Sequence, residues 1–555
     1  MASSRDLLAG IGVNTHLDAT ATAYGNVALV ADSLAYLGVG LIRDHAYDID
    51  LPAFEALASR GTRMDLIVDG GPQVEVASMI PLGSAVASFE GANEVDYQPT
   101  AGVTDTPRRA VAEQKLLYST VKATPAFSNA LVLNQSVSTP SNYTPYSGAL
   151  AWADVATVHA YAASGLPPAG QIAPVLSVED PARAKPVELT ETGYYTLPSD
   201  PSGVDQTVQA KYTLDTLLDA FQAGISATFL YELFDESADP AGTDSQQHYG
   251  LFNSDGSPKL AATAIHNFTQ ILGAPGAPNA PPLTLSPSLS GLPNSGQSLS
   301  LSGSNSSQFI AVWAEPVIWD PAARQEINVP AATVTVDLGA VAVSVLVFDP
   351  ILGSAPIATY ANVSSITLGL SDHPLLIEAS AAPLPTPPAV QTPSATAPAP
   401  ASTLATTTDV FRFFDTQHGT HFYSDSASEQ AQIAASRPDL VYEGIGFDSI
   451  DPATADPNAA PVYRFFEGTF GTHFYTASAV ERDSIEASRP DLVFEGVGFI
   501  EHTTPQPGDA PVYRLFDTTY GTHFYTADAG ERASVLATRP DLKDEGIAFF
   551  TPPLS

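Results

Sequence analysis

Over the first 270 residues the chain alternates between two hydrophobic rhythms. Short apolar runs recur: "LLAGIGVN", "VGLIRDH", "RMDLIV", "AVASFEG", "NALVLNQS", "VATVHAY", "PVELTETG" and "ISATFLYEL". Between several of them apolar residues return at helical spacing, in "TAYGNVALVADSLAYLG", "PRRAVAEQKLLYSTVKATP", "DQTVQAKYTLDTLLDAFQAG" and "PKLAATAIHNFTQIL". A short apolar run reads as a buried strand, and an i, i+3, i+4 stripe as an amphipathic helix. Eight strands alternating with helices over residues 1–272 predict a (β/α)8 TIM barrel. The crossover after the third strand is thin, which leaves a doubly wound sheet as the rival. No Gly-rich loop follows the first strand to hold phosphate, as that rival would want.

From residue 280 the rhythm changes to period two. "QFIAVWAEP", "ATVTVDLG", "AVSVLVFDP" and "SSITLGLSDHPLLIEAS" are separated by turn residues, so 280–380 reads as antiparallel strands forming a small β-sandwich. "GAPGAPNAPP", from Gly273, marks the boundary before it. Residues 381–408 are a Pro/Ala/Thr linker, extended and hard to pack. Residues 409–552 then repeat one unit three times, starting at Val410, Val462 and Val512, each with "GTHFY" and "RPDL". One such unit cannot bury its own apolar face. Three closing around a pseudo-threefold axis can, which predicts a β-trefoil-like all-β domain rather than an open solenoid.

Charge narrows the partners. The 555 residues carry 22 basic against 60 acidic side chains, a net charge of −38. That sign repels a phosphate backbone and excludes nucleic acid. No apolar run reaches the ~18 residues of a membrane span. Cysteine is absent, which excludes disulfides and thiolate chemistry. The opening "MASSRDLLAG" lacks the apolar core of a signal peptide. A secreted, extracellular protein whose leader is absent from this sequence is the expectation, with the cytoplasm as the other place.

Barrel active sites gather at the carboxyl ends of strands, and polar residues recur there. Arg43, Asp44 and His45 end the second strand; Asn93 and Glu94, in "SFEGANEVD", end the fourth. His159 and Tyr161 end the sixth, Glu191 in "LTETGYY" the seventh, and Tyr231 and Glu232 the eighth. Strands four and seven face each other across a barrel mouth, so Glu94 and Glu191 can flank one bond. Retaining glycoside hydrolysis uses such a pair, one carboxyl protonated and one ionised. The expected roles are Glu94 as acid/base and Glu191 as nucleophile. Arg43 would hold Glu191 ionised, and Asn93 would bind the sugar 2-hydroxyl. His159, Tyr161, Tyr231, Asp44 and His45 would line the substrate. Glu188 competes with Glu191 for the nucleophile's place, and alternation alone does not decide between them. His16, His45 and His159 also lie near strand ends, but no HExxH-type spacing supports a metal, so neither metal nor cofactor is expected. In the repeats, His421 with Tyr423, His473 with Tyr475 and His523 with Tyr525 suit sugar binding, or equally one structural need met three times.

These motifs carry a resemblance. "NE" after strand four and "TETG" after strand seven, with "IRDH", "HAY" at 159–161 and "YELFDE", resemble clan A glycoside hydrolases, family 39 most closely. The resemblance implies a retaining O-glycosyl hydrolase acting on a polysaccharide or oligosaccharide, with a β-domain beside the barrel. Tyr231 departs from the tryptophan that many relatives place after strand eight, which unsettles the sugar specificity. The triple repeat resembles a module appended to bacterial secreted hydrolases, and implies a cell-wall or exopolysaccharide glycan as its partner. The alternative is a non-catalytic glycan-binding or cell-surface adhesion protein.

Overall fold

Ser3 decides where the first strand can begin. In the computed structural model its side chain accepts the Asp6 N–H, and Asp6 accepts the Ser3 N–H in return. This capping box starts helix α1, Ser4–Ala9. The "LLA" of "LLAGIGVN" is therefore helical, and β1 begins only at Ile11.

The structure describes residues 2–97, 107–179, 185–239, 241–274, 283–351, 353–354 and 356–382 of the first part of the chain. Within the repeats it describes 407–415, 420–426, 429–430, 433, 437, 439–450, 456, 459–467, 472–478, 481–482, 485, 489, 492–503, 506, 509–517, 522–528, 531–532, 535–536, 539 and 541–552. Most of the proposed linker and most of the Gly273 boundary lie outside the described residues.

Eight strands follow in order: β1 Ile11–Asn14, β2 Leu41–His45, β3 Arg63–Ile67, β4 Val86–Glu90, β5 Leu131–Leu133, β6 Ala156–His159, β7 Val187–Thr192 and β8 Ile225–Leu230. Neighbours pair in parallel and β8 returns to β1. A parallel bridge from Leu133 to Val155 joins β5 to the start of β6 and closes the ring. The sheet is thus a closed TIM-type barrel, and the doubly wound rival is excluded. Helices α2 Val27–Leu37, α3 Leu51–Ser59, α4 Pro72–Ser78, α5 Pro107–Ala123, α6 Ala169–Glu179, α7 Gln206–Gln222 and α8 Leu260–Gly273 belong to the crossovers and the chain end of the barrel. The thin crossover is α4, seven residues opened by Pro72, whose missing N–H costs nothing at a first turn. Among the described residues no helix is long and apolar enough to cross a membrane.

The period-two region forms antiparallel strands β9 Ser288–Ser290, β10 Gly296–Ser302, β11 Gln308–Ala314, β12 Trp319–Asp320, β13 Gln325–Glu326, β14 Ala332–Phe348, β15 Pro356–Leu370 and β16 Leu375–Ser380. Six of them share one hydrogen-bonded sheet, with β14 pairing β15 along its whole length and, on its other edge, β9 along its first half and β16 along its second. The alternation is visible in β11. Phe309, Ala311 and Trp313 join the barrel's hydrophobic core, while Ile310, Val312 and Ala314 join a second core with Val345, Val347 and Ile377. Trp313 Nε1 donates to Asp219 Oδ1 on α7 at 3.0 Å, and Tyr212 donates to the Pro316 carbonyl at 2.7 Å. Barrel and sheet accordingly make one compact unit, Met1–Pro385.

The second unit, Thr386–Ser555, holds three strands per repeat: β17 Thr407–Asp415, β18 Thr420–Ser424 and β19 Leu440–Ile450; β20 Ala459–Glu467, β21 Thr472–Thr476 and β22 Leu492–His502; β23 Ala510–Asp517, β24 Thr522–Thr526 and β25 Leu542–Thr551. Tyr423, Tyr475 and Tyr525 meet in its core, each 1% exposed. Each hydroxyl grips the backbone of one other tyrosine. Tyr475 Oη donates to the Tyr423 carbonyl at 2.7 Å and accepts the Tyr423 N–H at 3.1 Å. Tyr525 does the same to Tyr475, and Tyr423 to Tyr525. The bonds run in a closed cycle, so the unit is a threefold ring. The described residues define that ring of three-stranded units and do not define a distinct β-trefoil.

Removing one hydroxyl leaves a buried backbone N–H and C=O short of a partner. Tyr475→Phe should destabilise the repeat ring by ~1–3 kcal/mol, read as a lowered transition in calorimetric unfolding of the full chain. An unchanged profile would refute the cyclic bonding.

Candidate functional site

Arg43, on β2, is 2% exposed and uses all five of its N–H groups. Nε donates to Glu90 Oε2 at 2.6 Å, and one terminal nitrogen to Glu90 Oε1 at 3.0 Å and Asn93 Oδ1 at 2.8 Å. The other donates to Glu191 Oε1 at 2.7 Å and Asn14 Oδ1 at 2.9 Å. The arginine therefore ties together the carboxyl ends of β1, β2, β4 and β7. The link to Glu191 was an expectation from the sequence, and the contact with Asn93 was not. Glu90 and Asn14 were not foreseen. Glu90 sits inside an apolar run four residues before Glu94, where a carboxylate needs a buried cation, and that mismatch was the available signal.

Glu191 is buried, which raises its carboxyl, but the His159 and Arg43 charges and the hydrogen bonds from Arg43 and Tyr161 outweigh burial and hold it at about 2. The Tyr161 hydroxyl donates to Glu191 Oε2 at 2.9 Å. His159 Nδ1 lies 3.1 Å from Glu94 Oε1 and 3.6 Å from Glu191 Oε2. One ligand atom from each of Glu94, His159 and Glu191 lies within 4.8 Å of the other two. Glu94 itself has φ +45°, in the left-handed region, a conformation that costs ~1–3 kcal/mol and persists only when surroundings enforce it. Ser136 supplies the enforcement: its Oγ accepts the Glu94 N–H at 3.0 Å and donates to Asn93 Oδ1 at 3.0 Å.

Glu188 is separated from Glu191 by depth. Val187 and Leu189 pack with Val158 and Ile172 on the helix side, so Glu188 turns inward, where burial and the Glu90 charge push it up to about 7. Strict alternation would send Glu191 outward with Leu189. Irregular register opposite Val158/His159 and between Leu189 and Thr192 breaks the alternation, and Glu191 lines the cavity while Glu188 does not.

That cavity is about 260 Å³ and contains Asn93, Glu94, Tyr161, Glu191, Tyr231 and Tyr249 among its walls. Tyr161, Tyr231 and Tyr249 meet edge to face with centroids 5.4–6.4 Å apart. Tyr249 was missed because it lies on a loop beyond β8 and not at a strand end. Asp44 also lines the cavity, but its carboxylate is spent on Thr15 Oγ1 at 2.7 Å and the Leu17 and His45 N–H groups. Burial pushes it up to about 7 against those donors. His45 stacks on Tyr47 and pairs with Asp69 at 3.3 Å. His16 lies against Glu232 at 3.3 Å. Among the described residues two groups have the nitrogen and carboxylate composition of a cation site: Glu94–His159–Glu191, and His16–Glu232–Glu236.

In the repeats the paired residues part company. The tyrosines Tyr423, Tyr475 and Tyr525 are corrected from sugar contacts to core, because ring and hydroxyl are both consumed by the ring's interior. His421, His473 and His523 instead face clefts between neighbouring repeats, each 3.1–3.4 Å from Glu443, Glu495 or Glu545.

The family model described as Domain of unknown function (DUF5648) matches residues 409–552. No curated protein matches the chain. Among solved structures, a family 39 glycoside hydrolase from the gut symbiont Bacteroides cellulosilyticus WH2 is 16% identical with a TM-score of 0.50, over 68% of this chain and 82% of that one. A GH39 enzyme from Xanthomonas axonopodis pv. citri is 15% identical at a TM-score of 0.47, over 68% of this chain and 95% of that one. A monomeric beta-xylosidase from Caulobacter crescentus CB15 is 14% identical at 0.47, over 68% and 96%. At such identity the likeness to the Bacteroides enzyme establishes the fold alone: a (β/α)8 barrel with added β-structure.

Breaking a buried ion pair from one side strands the other charge. Arg43→Met should cost ~3–5 kcal/mol, and adding Glu90→Gln should recover part of that loss, as coupled neighbours do. Denaturant unfolding of the two single variants and the double variant checks this. Strict additivity would mean that Arg43 and Glu90 do not act as a unit.

Proposed function

We propose that the barrel is a retaining glycoside hydrolase acting on a polysaccharide or oligosaccharide, with Glu191 as nucleophile and Glu94 as acid/base. The observation that carries this reading is the meeting of the two carboxylates within 4.8 Å around His159, at the cavity wall. A retaining pair stands about 5–5.5 Å apart, leaving no room for a water between nucleophile and sugar. Glu191, held at about 2, is ionised at any ordinary working pH and attacks the anomeric carbon while Glu94 protonates the leaving oxygen. The glycosyl ester then breaks as Glu94, with its side chain 26% exposed, takes a proton from incoming water. Arg43 positions Glu191 and limits its basicity. Asn93 has its Oδ1 engaged by Arg43 and Ser136, which leaves its NH₂ for the sugar 2-hydroxyl, where contacts tighten in the transition state. Tyr161, Tyr231 and Tyr249 shape the sugar-binding wall.

Within clan A we place the chain nearest family 39, on "NE", "TETG" and "HAY". Residues 409–552 act as a β-trefoil-like glycan-binding module for cell-wall or exopolysaccharide chains, through the inter-repeat clefts of about 100 and 250 Å³ that carry His421, His473 and His523 with phenylalanine walls. Several weak sites on one ring gain affinity for a polymer by raising local concentration. Such an enzyme works where its polymer lies, outside the cell.

Incubation with a panel of bacterial and plant glycans tests the chemistry. Glu94→Gln should lower kcat by ~10²–10⁴, and Glu191→Gln at least as much. Proton NMR of fresh product should display the starting anomeric configuration. Inversion would reject the nucleophile, and glycan binding without any product would favour the non-catalytic adhesion protein. Deleting 409–552 should weaken binding to insoluble glycan and leave hydrolysis of a soluble oligosaccharide unchanged; undiminished binding would reject the recruitment role.

A further inference from the structure

The β1–β8 side of the cleft holds three groups that hydrolysis as proposed does not use. His16 lies just past β1, and Glu232 and Glu236 follow β8. One ligand atom from each lies within 4.8 Å of the other two. The Glu232 side chain is 0% exposed. Its Oε2 accepts the Tyr24 hydroxyl at 2.8 Å and stands 3.3 Å from His16 Nε2. Its Oε1 is buried with no hydrogen-bond partner among the described residues, and so is His16 Nε2.

Buried polar atoms without partners carry the full cost of lost hydration, and each calls for a missing ion or water. A single proton shared by His16 and Glu232 would satisfy Nε2 and leave Oε1 unserved. It would also leave Glu236 unexplained. That half-buried carboxylate converges on a buried one, and Asp18 and Asp244 add like charge beside it. The nearby cation, Lys259, is already committed to Asp235 at 2.7 Å and to Thr196. Two carboxylates drawn together with an imidazole, in a region short of free positive charge, are stabilised by a cation placed between them.

We propose that His16, Glu232 and Glu236 bind a divalent transition-metal ion at the edge of the cleft. One imidazole and two carboxylates suit zinc or manganese better than calcium, which prefers more oxygens. Tyr24 orients Glu232 through its hydroxyl, and the His16 ring is held edge-on by Tyr24 and Tyr231, each centroid 5.7 Å away. Such outer partners fix the ligands of a metal site. His16 and Tyr231 both line the cavity, so coordination positions not filled by protein are open to water or a substrate hydroxyl. The inference stands independently of the hydrolase reading.

The test uses the full chain stripped with EDTA and titrated with Zn²⁺ or Mn²⁺, followed by calorimetry and by the melting midpoint. The expected result is one strong equivalent per chain and a raised midpoint. Tyr24→Phe should weaken binding ~10–100-fold, and Glu236→Gln, at a half-exposed position that folding tolerates, should weaken it further. Failure of either metal to bind or to raise the midpoint would overturn the proposal. So would binding unchanged in Glu236→Gln, or lost in Glu94→Gln instead, which would assign the ion to the Glu94–His159–Glu191 group.

Discussion

A buried guanidinium must find a partner for every N–H and a counter-charge for its cation, and Arg43 finds both at the ends of three other strands. Glu90 and Glu191 balance its charge from β4 and β7, and Asn14 and Asn93 complete its donors. Low local dielectric strengthens each of these bonds and makes each omission costly. The mouth of the barrel is consequently stiff where the proposed chemistry needs stiffness. Asn14 extends the network, because its NH₂ group donates to the Thr190 carbonyl and faces those of Phe229 and Leu230 while its oxygen accepts from Arg43.

Acids then divide by environment. Glu191 shares the arginine and stays ionised, whereas Glu188, deeper and nearer Glu90, is pushed toward neutrality. Glu94 is set apart again by exposure and by a left-handed backbone that Ser136 maintains. Similar carboxyls thus stand in dissimilar surroundings, the arrangement that the proposed acid and nucleophile roles require.

The repeats solve a different problem. Each unit has too little apolar surface to fold alone, and the cycle of Tyr423, Tyr475 and Tyr525 makes every repeat a condition for the next. Ion pairs repeat the cycle outside it, with Arg412 reaching Glu531, Arg464 reaching Glu429 and Arg514 reaching Glu481. Recurrence of an aromatic in sequence therefore signalled a shared core, while the neighbouring histidines were left at the clefts.

Much of this was legible in the chain itself. The eight strand runs, the period-two β-region and the triple repeat are local patterns, set by which side chains avoid water at helical or strand spacing. Glu94 and Glu191 stood out because strand ends are marked by where apolar runs stop. What lay beyond reach were relations between distant positions: the sharing of Arg43 with Glu90 and Asn14, the irregular register that turns Glu191 into the cleft, and the convergence of His16 on Glu232 and Glu236. Hydrophobic periodicity is a property of neighbours along the chain, so one dimension records it. Charge pairing and cavity walls depend on how the barrel closes, and closure brings together residues more than two hundred positions apart, which no spacing along the chain encodes.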